Sequence, residues 1–482
     1  MPPSRTRCGG SGNQSGSNDR QRTMTKFRSL TIASLLVAAT ACGSTDRANR
    51  TNHAGNEPEC PVDPARIVSD RGSSRFPTPI ERKGMTMGPL DGVRVIDLSQ
   101  IVSGPLAATI LADQGADVVK IEPPGVGDRL RPYPSFSKGG LNAFFISTNR
   151  GKRSVCVDLA NERGVAVVRR LIDGADVVIQ NFRPGVMERL GLDPAELRTT
   201  NPRLITLWIS GYGLLGPMAD RPVFDPVIQA ITGHIALQVN PEIPFPDLIR
   251  HAVVDKSTAG YAAQAVTAAL FHRERTGYGQ HIDLSMVDAS ISFLWPDGMM
   301  TETLLDDDVK SGPTLAQIYS LTQCDDGQLV YFAGTIEQRM GLYRALGHPE
   351  WCDDERFNSI SAMLNMENFE TLGGLIANAF SKMSVADAVG ALLASDVPCG
   401  LVTALADVAN QVQVVANESV IEFDHPTAGR IRQPRPPARF ASTPSEPVWM
   451  VAHLGEHTDE VLTDAGLAAD EIADLRTAGI VC

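Results

Sequence analysis

From Val93 onward, short apolar runs alternate with stretches of helical period, and this repetition constrains the fold more than any other feature of the chain. Val93-Arg-Val-Ile-Asp-Leu98 reads as a strand, Pro105 to Gly115 as a helix with proline near its first turn, and Asp117-Val-Val-Lys-Ile-Glu122 as a second strand. The pattern continues with a strand at Ser154–Asp158, a helix near Glu162–Asp173, a strand at Asp176–Asn181, a helix near Val186–Leu190 and a strand at Leu204–Ser210. Strands joined by helices pair in parallel, so the expected fold is α/β with a mostly parallel, doubly wound sheet.

Such a sheet places its ligand outside the carboxyl ends of the strands. The residues to read are Gln100–Gly104, Pro123–Asp128, Asn181–Pro184 and Gly211–Gly216. None forms Gly-x-Gly-x-x-Gly at the first strand-to-helix turn, and no phosphate-loop motif occurs, which disfavours ordinary NAD binding and nucleotide hydrolysis. Farther on, Ala259–Arg273 reads as an Ala-rich helix and Gln280–Ser285 as a strand. A polar break at Glu302–Gly312 marks a linker. A second, smaller domain is expected from about Ala316 to Pro398, with its own strand Gln328–Phe332. A Pro-rich run at Arg432–Pro437 and two short helices, near Thr458–Ala465 and Ala469–Ala478, complete the chain.

With 482 residues, 43% of them hydrophobic, the chain can bury more than one core. Its net charge of −13 argues against general adhesion to nucleic acid or anionic lipid. Residues 1–84 differ in kind: they carry net +6 against −19 for the remainder, and are expected to be a mostly disordered extension. Within them, residues 24–42 have the layout of a lipoprotein signal ending at Cys42. The favoured reading is an overextended gene model, with translation starting at Met85 or Met87. The longest apolar stretch, Leu30–Ala41, falls short of the ~20 residues a spanning helix needs, so no integral membrane association is expected. The body's five cysteines, Cys156, Cys324, Cys352, Cys399 and Cys482, are dispersed, which suggests reduced thiols and a cytoplasmic location. No histidine sits at metal-ligand spacing with a cysteine pair, so no metal is expected.

Several strings, taken in order, carry a resemblance. They are Gly88-Pro-Leu-Asp-Gly-Val-Arg-Val-Ile-Asp-Leu98, Gly115-Ala-Asp-Val-Val-Lys-Ile-Glu-Pro123, Gly211-Tyr-Gly-Leu-Leu-Gly-Pro217, Phe224-Asp-Pro-Val-Ile-Gln-Ala230, Arg275-Thr-Gly-Tyr-Gly-Gln280 and Leu454-Gly-Glu-His-Thr-Asp-Glu-Val-Leu462. Over about residues 88–482 the chain resembles the family III CoA-transferases (the CaiB/BaiF group, which includes formyl-CoA transferase). The resemblance implies a Rossmann-like large domain built from residues 88–305 and 401–482, a smaller α/β domain at 312–400, and an interlocked homodimer. It implies a CoA thioester and a carboxylic acid as substrates, with no tightly bound cofactor. It also implies a catalytic aspartate, Asp255 in Val254-Asp-Lys-Ser-Thr-Ala-Gly260, and CoA contacts from Ile101, Val102, Ser103, Asn181, Phe182 and Arg189.

The chemistry suits a carboxylate: attack on the acyl carbon breaks the thioester without water, through aspartyl intermediates whose oxyanions need N–H donors. Those donors are expected at the start of the helix after Asp255 or in glycine-containing loops. The competing reading makes Asp255 a helix N-cap. CoA phosphates need local cations, for which Asn149-Arg-Gly-Lys-Arg153 and Asn181-Phe-Arg-Pro-Gly185 with Arg189 are the candidates. Val102 and Pro123 stand where formyl-CoA transferase has glutamine and arginine, which argues against oxalate and formate and for a bulkier, less polar acyl group. Two other readings remain. An α-methylacyl-CoA racemase would place a histidine where this chain has Phe224, with His234 and His251 only nearby. A non-catalytic CoA-binding or lipid-anchored module would use Cys42.

Overall fold

The computed structural model describes residues 88–238, 247–309, 312, 314–363, 365–444 and 448–482. The expectations for residues 1–84, including the signal-like segment, Cys42 and a start at Met85 or Met87, lie outside them. The described residues fall into two compact units, one within Lys310–Val402 and one joining the residues before Lys310 to Thr403–Cys482.

The larger unit is built on strands β1 (Arg94–Asp97), β2 (Asp117–Glu122), β3 (Lys152–Cys156), β4 (Val177–Gln180), β5 (Ile205–Ser210) and β6 (His281–Ser285). They form one six-stranded sheet in the order β3-β2-β1-β4-β5-β6, and every pairing is parallel. The expected parallel sheet is present, in the strand order of a Rossmann domain. Strands β1, β2 and β4 are almost wholly buried, as apolar strands covered on both faces must be. On one face, α1 (Ser103–Asp113) and α5 (Val253–Thr276) pack Leu111, Ala259, Ala263 and Val266 against Val95, Ile179 and Leu207. On the other, α2 (Glu162–Asp173), α10 (Thr458–Asp464) and α11 (Ala469–Thr477) pack Val168, Leu462 and Ile472 against Ile96, Val119 and Val178. The carboxyl-terminal segment therefore completes the core of the first strands.

Between these lie α3 (Val186–Arg189), α4 (Asp225–Ile231) and α6 (Met286–Gly298). The smaller unit holds an antiparallel sheet of β7 (Thr322–Gln323), β8 (Gln328–Tyr331) and β9 (Cys399–Leu401). Helices α7 (Ile336–Ala345), α8 (Met366–Phe380) and α9 (Val385–Ala394) pack with it around Leu342, Leu372 and Leu392.

One element has little signal in the sequence pattern, and one reading of the sequence needs correction. Residues of the Pro-rich run at Arg432–Pro437 contribute to a hairpin, β10 (Val420–His425) with β11 (Gly429–Pro434). Its alternation is weak because only His425 and Gln433 in the pair are fully buried. The five body cysteines are not all free thiols. Cys156, at the end of the edge strand β3, is bonded to Cys482, 326 positions away, where Val157 and Val481 form an antiparallel bridge. No local spacing could reveal that pair, because the sheet edge brings the two together. Cys324, Cys352 and Cys399 are free.

Candidate functional site

Strand order reverses between β1 and β4, and the crevice outside their carboxyl ends is where a sheet of this kind receives a ligand. The loop from Leu98 to Val102 leaves β1 there. Asn181, just past β4, clamps it: its Oδ1 accepts from the Gln100 amide at 2.8 Å, and its Nδ2 donates to the Gln100 carbonyl at 2.8 Å. Ile101 takes a left-handed conformation, φ +72°, which a β-branched side chain adopts only under constraint. The reversal folds Ser99 onto the first turn of α1, where a Cβ on Gly104 would overlap the Ser99 side chain. Glycine at 104 is thus set by a close approach.

Ser103 opens α1, and its backbone and hydroxyl lie near enough to the Asp255 carboxyl to favour its ionised form. Asp255 lies in the first turn of α5. It is not the N-cap: that position is Ala252, and α5 begins six residues before the expected Ala259. The Asp255 amide donates to Asp225 Oδ2 at 2.9 Å, and the other oxygen of Asp225 accepts from Gln229 Nε2 at 2.6 Å. Asp225 thus caps α5 from α4. Burial, and then the negative charge of Asp225, push the Asp255 carboxyl up to about 7, against the lowering effect of the two Ser103 donors. Half-buried beside another carboxylate, Asp255 is a stronger base and nucleophile near neutral pH than an ordinary aspartate.

Ile101, Val102, Ser103 and Asn181 meet at this crevice, with Asp255 opposite Ser103. Both amide atoms of Asn181 are engaged with the loop, so its visible work is to hold Gln100. Val102 is 4% exposed and points into the protein, so its apolar side chain gives no support to a less polar acyl group. Phe182 is half-buried and, with Arg183, Pro184, Gly185, Glu188, Trp208 and Leu214, lines an adjoining shallow cleft. Among the described residues neither Arg183 nor Arg189 has an ion-pair partner, and both are exposed.

The other candidate basic rim, Asn149–Arg153, does not face a ligand. Arg150 is buried in a bidentate pair with Asp113 (2.6 and 2.9 Å) and on Gln433 (2.9 Å). Lys152 is buried on Asp97 at 2.9 Å. Arg153 is held by Asp117, Glu460 and Asp464. Cations on and just before the edge strand β3 are consumed by internal carboxylates, which a count of basic residues cannot distinguish from a ligand site.

Sequence reasoning missed Asp225, whose signal was the Asp-Pro step opening a helix in Phe224-Asp-Pro226. Phe224 itself is exposed and carries no titratable group. His234 is buried, and burial holds its imidazole below the usual range; among the described residues its Nε2 has no hydrogen-bond partner. His251 is exposed, and its carbonyl accepts from Val253.

Comparisons with known proteins agree with this architecture. The model of CoA-transferase family III matches residues 90–458. Succinyl-CoA–D-citramalate CoA-transferase of Chloroflexus aurantiacus is 31% identical over 400 residues, 82% of this chain and 98% of that enzyme. Acetyl-CoA:oxalate CoA-transferase of Acetobacter aceti is 34% identical over 73% of this chain and 90% of its own. Among solved structures, Rv3272 of Mycobacterium tuberculosis superposes with a TM-score of 0.69 at 33% identity, covering 78% of this chain and 99% of that one. A CAIB/BAIF family protein of Brucella suis gives 0.67 at 31% identity, covering 79% and 100%. The chain belongs to CoA-transferase family III and is an enzyme of that family.

Proposed function

We propose that the protein moves CoA from an acyl-CoA thioester to a free carboxylic acid through covalent intermediates on Asp255. One observation carries this reading: Asp255 sits in the first turn of α5, its amide bound to Asp225 at 2.9 Å, with its carboxyl near the start of α1 and raised to about 7 by burial and Asp225. A carboxylate oxygen attacks the thioester carbonyl carbon, the C–S bond breaks, and an aspartyl anhydride forms as CoA thiolate leaves. The thiolate attacks the aspartyl carbonyl, releasing the donor acid and leaving an aspartyl-CoA thioester. The acceptor carboxylate then attacks that carbonyl, expelling thiolate and forming a second anhydride. Thiolate attack on the acceptor carbonyl finally releases the new acyl-CoA and the Asp255 carboxylate. Acylation also removes the negative charge on Asp255, which relieves its repulsion with Asp225. Ser103 supplies donors where charge develops in each addition.

In this reading Arg183 and Arg189 meet the CoA phosphates, and Ile101, Val102, Ser103, Asn181 and Phe182 form or shape the CoA-facing wall. The substrates place the enzyme in the cytoplasm, where CoA thioesters are made; among the described residues no helix is long and apolar enough to cross a membrane. The active form is a homodimer with interlocked subunits. Exposed Phe271 on α5 and Phe293 and Trp295 on α6 support a second copy as the cover of that surface. The racemase reading is weaker, since Phe224 cannot carry a proton and His234 is enclosed.

The test is incubation with a panel of acyl-CoA thioesters and hydroxylamine, followed by mass mapping. A hydroxamate on Asp255, absent from Asp255→Ala, supports the reading. No mark from any thioester would overturn it.

A further inference from the structure

Beneath the crevice lies a neutral cluster of three cations and three carboxylates that the mechanism does not use. Asp97, Lys120, Glu122, Asp128 and Lys152 are each no more than 2% exposed, and Arg131 closes the cluster on Glu122 at 2.7 Å. Burying so many charges is not explained by stability, because well-packed apolar residues generally serve as well or better. What the central members share is a grip on one stretch of backbone. Lys120 Nζ donates to the Ser99 carbonyl at 2.9 Å and pairs with Asp128 at 2.8 Å. Asp128 accepts from the Ile101 amide at 3.1 Å and from Leu130 at 2.8 Å. Asp97 accepts from the amide and hydroxyl of Ser99 and from Lys152, whose ammonium also holds the Pro105 carbonyl at 2.7 Å. From the opposite side, Asn181 holds both backbone groups of Gln100.

Lys120, Asp128, Asp97, Lys152 and Asn181 each place at least one bond between Ser99 and Pro105, the segment that carries Ser103. The constraint at Ile101 is thereby accounted for, since an unfavourable backbone conformation persists only where the surroundings over-determine it. We propose that the buried Lys120–Asp128 pair is a positioning unit for the transfer reaction, holding Ile101 left-handed so that the amide and hydroxyl of Ser103 meet the Asp255 carboxyl. Neither residue touches substrate. Released from Asp128, Ile101 relaxes towards extended backbone and turns the start of α1 away from Asp255.

This inference rests on the transferase reading of Asp255, and the experiment separates the two. Lys120→Met/Asp128→Ala removes the pair without leaving an unpaired charge, while Lys120→Met/Asp128→Asn restores an acceptor for the Ile101 amide. Both are compared with wild type on the thioester that labels wild-type Asp255 fastest, reading kcat, KM and the rate of hydroxamate formation. The expected result is that Met/Ala loses about 100-fold in kcat and labelling rate with KM within about threefold, and that Met/Asn recovers most of the loss, because small misplacements of reacting groups are that costly. If Met/Ala does not fold, Lys120→Met/Asp128→Leu, which fills the space of the aspartate without offering an acceptor, carries the test, with the same expected fall of about 100-fold in kcat at KM within about threefold. Unchanged kcat and labelling in the folded variant, or an equal loss in Met/Ala and Met/Asn, would overturn the positioning role. Absence of label on wild-type Asp255 would overturn the transferase reading and this inference with it.

Discussion

Asp255 is ionised against its surroundings, and removing its charge should stabilise the protein while abolishing transfer. In the unfolded chain its carboxyl titrates near 3.8; in the fold, burial and Asp225 raise it to about 7. Below pH 3.8 the group is protonated in both states and costs nothing. As pH rises from 3.8 to 7, the unfolded chain releases a proton that the folded protein keeps, so stability falls; above 7 the full cost is present. A shift of about three units is ~4 kcal/mol, which partial exposure of the carboxyl discounts to ~2 kcal/mol. Asp255→Asn keeps the shape and has no such titration. Urea unfolding of both proteins at pH 4 and pH 8 should show them nearly equal in the acid and the variant more stable by ~2 kcal/mol at pH 8, where it is also inactive. A variant as stable as wild type at pH 8, or less so, would refute the strained-carboxylate reasoning.

Three further outcomes are expected. Because attack needs the ionised carboxylate, kcat/KM should rise with pH and level off above about 7; a profile flat from pH 5 to 8 would contradict the pKa assigned to Asp255. Arg183→Ala and Arg189→Ala should each raise KM for the CoA thioester about tenfold, with kcat little changed and the effect smaller at high salt; kinetics indistinguishable from wild type would remove them from the phosphate site. Peptide mapping without reductant should recover Cys156 linked to Cys482, and Cys482→Ser should lower the unfolding free energy by ~2–5 kcal/mol, making it insensitive to dithiothreitol. A variant as stable as the oxidised wild type would show that the bond is not formed in solution.

Sequence period served well where an element is long and buried on a regular face. Strand β2 and helix α2 occur at the limits expected for them, Asp117–Glu122 and Glu162–Asp173, because apolar residues mark both ends. Helix α5 starts earlier than its Ala-rich pattern because its amino-terminal acceptor, Asp225, comes from another helix, and no side chain of its own caps it. The hairpin of β10 and β11 escaped notice because a mostly exposed ribbon has little apolar alternation to read. At the site, Asp255 and the loop after β1 were legible by resemblance, and strand order alone leads to the same crevice. The fate of charge was not legible. Arg150, Lys152 and Arg153 read like a phosphate rim, yet their partners Asp113, Gln433, Asp97, Asp117, Glu460 and Asp464 come from as far as the other end of the chain. Lys120 and Asp128 sit eight positions apart in ordinary strand and loop sequence, and only the fold makes them a buried pair.

The most direct test of the covalent route is isotopic. Turnover of a productive thioester with an acceptor acid carrying oxygen-18 in its carboxylate, followed by mass mapping, asks where the acceptor's oxygen goes. In the sequence of steps proposed for Asp255, the acceptor oxygen bridges the second anhydride and stays with the aspartate when thiolate attacks the acceptor carbonyl. The Asp255 peptide should therefore gain oxygen-18, and the donor acid released in later turnovers should carry it too. Transfer without label in Asp255 would contradict the account, because it would mean that the acceptor attacks the donor thioester without passing through the enzyme's carboxylate.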